Sequence, residues 1–373
     1  MKRLLSYNYI NPWKEIFYDH RTPSPLSMLS KFYTSVNVLT DRFNILNDDC
    51  EYNILSTNTN IQNILDMKRM FFDECCRRRT EEIISYASLI DKDIYVLWSG
   101  GVDSTCVACS FLMNETLDRK RFHIILNDDS IFEYPLFYTM LVNEHIDIIN
   151  VRLNLYKIRT IVNDNVAVNG ICGDQLDGFN LNKPKFKSIG YFDDWKDGVN
   201  TFLSNNYTKD SIDNVISSCE DYAHKLKIDL SIFGEFIWLF NFSLKWNYLV
   251  YYLKCLYVNP DTSIAFFDTD YFSNFALFNY HKRRLYKQNS SYLYKTEWKK
   301  IIYSFTKDED YFLNKGKESP LFLNIPETFF GMTVVDDSGY HLYDDTNETV
   351  VKNILLPFVK PKYQGCFDVI RKH

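Results

Sequence analysis

The chain has 373 residues, 46% of them apolar and 24% charged, which suits a folded protein with a large core and excludes a disordered or collagen-like one. Its 29 Phe and 27 Tyr add to the material for that core. The net charge of −6 argues against broad electrostatic binding of nucleic acid.

Residues 1–60 make a polar N-terminal segment, irregular or partly β, with a turn-prone Arg21-Thr22-Pro23-Ser24-Pro25. From Ile61 to Leu89 apolar positions recur at helical spacing with neither Pro nor Gly, predicting one or two helices. Ile94 to Trp98 is an unbroken apolar run between turn residues, the pattern of a strand buried on both faces. A helical run from Val102 follows. Strands are predicted at 123–128, 147–153 and 165–174, with a helix over 132–145 between the first two. Alternating strands and helices imply an α/β fold: a parallel sheet of about five strands flanked by helices. Residues 207–258 read as an additional, aromatic helical lobe, 290–315 as a helical pair, and 332–345 as a hairpin around Asp337-Ser338-Gly339. The expected organisation is a small N-terminal segment (1–64), a central domain (65–330) and a C-terminal hairpin and tail (331–373). No internal repeat is visible.

The N-terminus lacks the apolar core of a signal peptide. The most apolar stretch, Phe233 to Val258, is interrupted by Glu235, Asn241, Lys245, Asn247 and Lys254, so a buried helix is expected rather than a membrane span. The nine cysteines are odd in number and scattered, unlike a secreted disulfide framework. A cytoplasmic protein is the expectation.

Ligands of a parallel sheet bind at the carboxyl ends of its strands. There, Ser99-Gly100-Gly101-Val102-Asp103-Ser104 joins the first central strand to a helix. Two glycines permit close backbone approach to a ligand. The amides that open the helix have no intrahelical acceptor and, with the helix dipole, attract an anion. Ser99 and Ser104 add hydroxyls. Asp103 repels a phosphate unless a cation such as Mg²⁺ lies between them. The loop is neither a Walker A sequence nor a dinucleotide fingerprint. The bland alternative is a strand–turn–helix junction in which Asp and Ser merely cap the helix.

Ser-Gly-Gly-Val-Asp-Ser after a strand is similar to the signature of the N-type PP-loop ATP pyrophosphatases. That family includes asparagine synthetase, β-lactam synthetase, lasso-peptide cyclases, NAD and GMP synthetases and tRNA-modifying ligases. The resemblance implies an adenine-nucleotide α-hydrolase-like (HUP-type) fold and an ATP-dependent, AMP- and pyrophosphate-forming ligase. Such an enzyme adenylates a carboxyl or carbonyl group, most often on the way to an amide. A second segment, Gly170-Ile171-Cys172-Gly173-Asp174-Gln175-Leu176-Asp177-Gly178, resembles the asparagine synthetase motif Gly-Glu-Gly-Ala-Asp-Glu-Leu-Phe-Gly-Gly. It places Asp174 on the motif's metal-binding aspartate. Ala265 to Phe272 resembles the family's Val-Pro-Phe-Leu-Asp segment, which begins a helix. Tyr294-Lys295-Thr296-Glu297 and Lys317-Glu318-Ser319 resemble its two lysine-bearing segments.

The resemblance therefore implies ATP and Mg²⁺ as cofactors. Trp98, Ser99, Gly100, Gly101, Val102, Asp103, Ser104, Leu126, Asn127 and Gly173 would bind the nucleotide and pyrophosphate. Asp103 and Asp174 would hold the metal, and Lys295 and Lys317 would stabilise the transferring phosphate. The partners would be a small-molecule or peptide carboxylate and an amine donor. Any ammonia would come from a separate source, because residue 2 is Lys, the first cysteine is Cys50, and the N-terminal segment is short for a glutaminase.

The pattern breaks at two glutamates. The motif's first aligns with Ile171 and its later one with Gln175, so the carboxylate that can act as base toward an amine is absent. Two alternatives follow: a nucleic-acid-modifying ligase or thiolase of the same superfamily, and a non-catalytic ATP-binding paralogue. Arg77-Arg78-Arg79 would serve the first, but a solvated helix face explains them too. Cys106 and Cys109 form a C-x-x-C, yet small core residues are expected there. Cys172 stands nearest the site among the cysteines, Asp177 reads as a local cap, and the histidines show no metal-ligand spacing.

Overall fold

Nine strands form among the described residues: β1 (Arg3–Ser6), β2 (Asn53–Ile54), β3 (Ile94–Leu97), β4 (Phe122–Leu126), β5 (Asp147–Asn150), β6 (Val166–Asn169), β7 (Ser263–Ala265), β8 (Met332–Asp336) and β9 (Gly339–Tyr343). The structure is a computed structural model describing residues 59–151, 155–162, 164–177, 189–247, 249–250, 262–285 and 294–316, with short pieces at 3–6, 25–29, 41–43, 45–46, 53–54, 332–336 and 339–343.

The central sheet has five strands in the order β5-β4-β3-β6-β7, every neighbouring pair parallel. Helices flank it, so the expected α/β architecture is present. The chain leaves β3 toward β4 and β5, then returns to lay β6 on the other side of β3. Connections from β3 and β6 thus run in opposite directions, which opens a crevice at their adjacent carboxyl ends.

The inner strands are buried as their composition predicts, while the edge strand β5 is only partly so. Val96, Ile124, Val166 and Val168 have no exposed surface. The helix after β3, Val102–Leu112, is buried along nearly its whole length. Small residues make this possible, since Cys106, Ala108 and Cys109 let the helix lie close to its neighbours. The helices Phe72–Leu89 and Thr296–Thr306 pack on it. Between them Trp298 meets Phe72 at 4.1 Å, Phe267 at 5.9 Å and Phe275 at 6.3 Å between ring centroids. A second cluster joins Trp195 and Val199 of the helix Trp195–Leu203 to Ile212, Phe233, Phe236 and Phe240 of the predicted helical lobe.

Several boundaries differ from expectation for local reasons. The helix expected over 132–145 is two, Asp128–Glu133 and Pro135–Asn143. The break falls at Tyr134 (φ −143°, ψ 76°), because a following proline drives its predecessor out of the helical region. The first of the two begins earlier than expected, since Asn127 caps it by accepting from Ser130 N at 2.9 Å. The region from Ile61 to Leu89 also forms two helices, Ile61–Asp66 and Phe72–Leu89. The fifth strand, β7, spans three residues, too few for a periodicity signal.

The two ends of the chain contribute to a second sheet, of order β2-β1-β8-β9, in which β1 runs antiparallel to β8. The predicted hairpin is formed by β8 and β9, with Asp336 opposite Gly339; its turn residues Asp337 and Ser338 lie outside the described residues. Upstream, Asp41 and Arg42 are anchored in the central domain. Asp41 accepts from Tyr222 Oη at 2.6 Å and from Phe43 N at 2.9 Å. Arg42 lies 3.9 Å from the Trp246 ring centroid and donates to Ser273 Oγ at 2.6 Å. Among the described residues, no helix is long and apolar enough to cross a membrane.

Trp298 fills the space between the two helices that flank the loop helix. Trp298→Ala should destabilise the protein by about 3–5 kcal/mol in denaturant titration, and an unchanged unfolding midpoint would contradict the packing described.

Candidate functional site at the carboxyl ends of β3 and β6

Two loops meet at the crevice. The first, Ser99–Gly101, leaves β3. Gly100 takes a left-handed conformation (φ 80°), and a Cβ there would stand 2.6 Å from Ser130 O and 2.7 Å from Glu133 Cβ. Only glycine fits on both counts. Gly101 is the N-cap of Val102–Leu112 and supplies no side-chain cap, so the first helical amides are left for another acceptor. The loop is braced internally. Ser104 Oγ accepts from Ser99 N at 3.0 Å, lies 3.0 Å from Ser99 Oγ and donates to Gly101 O at 3.2 Å.

The second loop, Gly170–Cys172, leaves β6 and enters the short helix Gly173–Asp177. It presses on the first so closely that side chains are excluded. A Cβ on Gly170 would fall 2.8 Å from Ser104 N, and one on Gly173 would fall 2.1 Å from Asp103 Oδ1. This contact accounts for the glycines in the sequence Gly-Ile-Cys-Gly.

Lys295 ties the loops together. Its ammonium pairs with Asp103 Oδ2 and, at 2.6 Å, with Asp174 Oδ1. The lysine is 1% exposed, against 24% and 37% for the two carboxylates. Burial opposes its charge, but the facing carboxylates of Asp103 and Asp174 outweigh that and hold its pKa well above the ordinary lysine value. Its backbone is set as firmly. Lys295 adopts a left-handed conformation (φ 48°, ψ 44°) at the N-cap of Thr296–Thr306, and its amide donates to Asp177 Oδ2 at 3.2 Å. Tyr294 Oη donates to Asp174 Oδ1 at 3.4 Å.

The residues expected at the site therefore divide. Ser99, Gly100, Gly101, Val102, Asp103, Ser104, Gly173, Asp174 and Lys295 are brought together. Trp98 and Leu126 are each 2% exposed. The Trp98 indole turns into the core, donating to Thr105 Oγ1 at 2.9 Å. The Leu126 carbonyl accepts from Val151 N at 2.9 Å. Both side chains thus lie in the core. Asn127 is half-buried, its side chain capping the following helix. Lys317 lies outside the described residues.

Asp177 does cap a helix, but a distant one, Thr296–Thr306. It was findable, since Asp174 and Asp177 are three apart on one short helix and so share a face. A further cation, Lys315, escaped the sequence reading because nothing distinguishes it from its neighbours in Asn314-Lys315-Gly316-Lys317. It pairs with Glu133 Oε1 at 3.3 Å, and that oxygen stands 3.6 Å from the position of a Cβ on Gly101. Arg42 gave no sequence signal either. Its charge bears on Cys172, in the second loop, and on Asp268.

Cys106, Cys109 and Cys172 are buried, and burial pushes all three thiols up, away from the thiolate form. Arg77 and Arg78 pair with Glu81 and Glu82 at i,i+4, the arrangement of a solvated helix face.

Among the described residues no group of three or more His, Cys, Asp or Glu side chains could hold a metal ion. The donor set nonetheless fits Mg²⁺. Mg²⁺ takes one or two carboxylates and completes its shell with substrate phosphates and water rather than a protein cage. Asp103 and Asp174 already converge on a single cation. With Lys295 between them the three side chains sum to one negative charge. No family model matches the chain, and no curated protein matches it.

Gly173→Ala should lower stability by about 1–3 kcal/mol through overpacking and separate the two loops. Unchanged stability in denaturant titration would contradict the close approach.

Lys299, fully buried, donates to Lys315 O at 3.3 Å. Burial draws its pKa down from 10.5 to about 8, with Asp177 opposing. Because the folded value lies below the unfolded one, protonation favours unfolding. The stability of the wild type relative to Lys299→Met should therefore rise between pH 8 and 10.5. Melting curves of both proteins across that range check the sign.

Proposed function

We propose that the chain is an ATP-dependent adenylating ligase that activates a carboxyl group with release of pyrophosphate and then AMP, most naturally forming an amide. The observation that carries this reading is the meeting of Asp103, Asp174 and Lys295 beside the uncapped N-terminus of Val102–Leu112. Carboxylates alone would repel a polyphosphate, and amides alone would bind any anion. The combination suits a polyphosphate that arrives with a divalent ion.

In this reading the amides of Gly101, Val102 and Asp103, with the Ser99 and Ser104 hydroxyls, hold the β- and γ-phosphates. Asp103 and Asp174 hold Mg²⁺, which supplies charge neutralisation across the phosphates. An oxygen of the acceptor carboxylate attacks the α-phosphorus, and the bond to the β-phosphate oxygen breaks as pyrophosphate leaves. The Lys295 ammonium stabilises the charge that develops on the separating phosphates. An amine then attacks the acyl carbon and AMP departs. No carboxylate stands at position 171, so either another group takes the amine's proton or the nucleophile needs no base there.

The nucleic-acid alternative is not favoured, since Arg77 and Arg78 are engaged with glutamates and the buried cysteines offer no thiolate. Binding of nucleotide without turnover is kept open by one observation: Ile171 and Gln175 leave the second loop without the family's glutamates.

ATP–pyrophosphate exchange with a panel of small-molecule and peptide carboxylic acids tests the reading. The wild type should support exchange with at least one acid. Asp103→Ala and Lys295→Ala should each lower it by about 10²-fold or more, as removal of a single transition-state stabiliser does. Equal exchange by the variants refutes the site. Nucleotide binding without exchange for any acid refutes catalysis and selects the non-catalytic reading.

A further inference from the structure

We infer that the Lys295 ammonium occupies the divalent-cation position of the nucleotide-free protein, so that the metal enters only in company with nucleotide phosphates. This rests on the adenylation reading for its biological sense. Three features argue for it. First, the ammonium is the shared partner of two carboxylates delivered by separate loops, the position an ion bridging Asp103 and Asp174 would take. A second positive centre cannot join it there without strong repulsion. Second, the three side chains together carry one negative charge, which leaves little to attract a free divalent ion away from its water shell. Third, the lysine is built to move its head without moving its backbone. Its amide is pinned by Asp177 and its α-carbon begins a helix, while the flexible four-carbon stem can turn.

Phosphates change the balance. Their negative charge draws the ammonium off the carboxylates, and the vacated oxygens then face the metal that the nucleotide carries. The same lysine thus excludes metal before nucleotide binds and neutralises phosphate afterwards. Binding of the two becomes coupled, because each removes the obstacle to the other.

Mn²⁺ binding measured by electron paramagnetic resonance, with no nucleotide present, tests this directly. The wild type should leave most of the free-ion signal standing. Lys295→Met should bind one equivalent, with a dissociation constant lower by roughly tenfold or more, because two like charges then face each other unrelieved. Lys295→Arg should behave as the wild type, and Lys295→Met with Asp174→Asn should lose the gain. A second readout covers a variant that is unstable without metal: Mn²⁺ should raise the unfolding temperature or refolding yield of Lys295→Met more than that of the wild type. The inference is overturned if the wild type binds Mn²⁺ as tightly as Lys295→Met, or if Lys295→Met shows neither binding nor stabilisation. Absence of ATP–pyrophosphate exchange would sink the adenylation reading alone, since no nucleotide enters the Mn²⁺ titration.

Discussion

A buried ammonium between two carboxylates is the constraint around which this molecule is arranged. Asp103 and Asp174 stand at the ends of neighbouring strands, and the glycines beside them bring their loops into direct contact. Two negative charges that close would force the loops apart. Lys295 removes that repulsion, and the carboxylates in turn compensate for taking a lysine out of water. Each charge is thus compensated by the others.

The rest of the architecture supplies the stiffness that such a contact requires. The loop helix Val102–Leu112 is embedded in the core, with Cys106, Ala108 and Cys109 allowing close approach and Phe111 filling the space at its far end. Thr296–Thr306 packs along it, and Trp298 wedges that helix against Phe72. Lys295 therefore projects from the start of a helix fixed by aromatic packing, and its amide is held by Asp177. The root of the lysine is thereby fixed beside the two carboxylates.

Other features are explained without chemistry. Cysteine thiols inside the sheet and its helices behave as small apolar groups. Paired arginines on Phe72–Leu89 cover a solvent face. Arg42 is the exception that invites thought. It is fully buried, surrounded by Trp246, Phe242 and Phe43, and its Nε and Nη1 make no hydrogen bond among the described residues. It holds residues 41–43 against Trp246 and Ser273.

Much of this was legible in the linear chain. Unbroken apolar runs such as Ile94–Leu97 identify strands buried on both faces, and their alternation with helical segments implies the parallel sheet. The spacing Ser-Gly-Gly-Val-Asp-Ser marks the candidate loop, because glycine conformation and helix amides are local properties. A strand of three residues, Ser263–Ala265, has no period to detect, and the break at Tyr134 depends on the single residue after it. What the chain alone could not decide is which charges meet. Asp103, Asp174 and Lys295 come from segments far apart in sequence, and their pairing exists only because β6 returns beside β3 and the helix after Lys295 packs along the loop helix. Electrostatic partnership acts through space, so tertiary packing alone made two candidate metal ligands and a candidate lysine into a single bridged site.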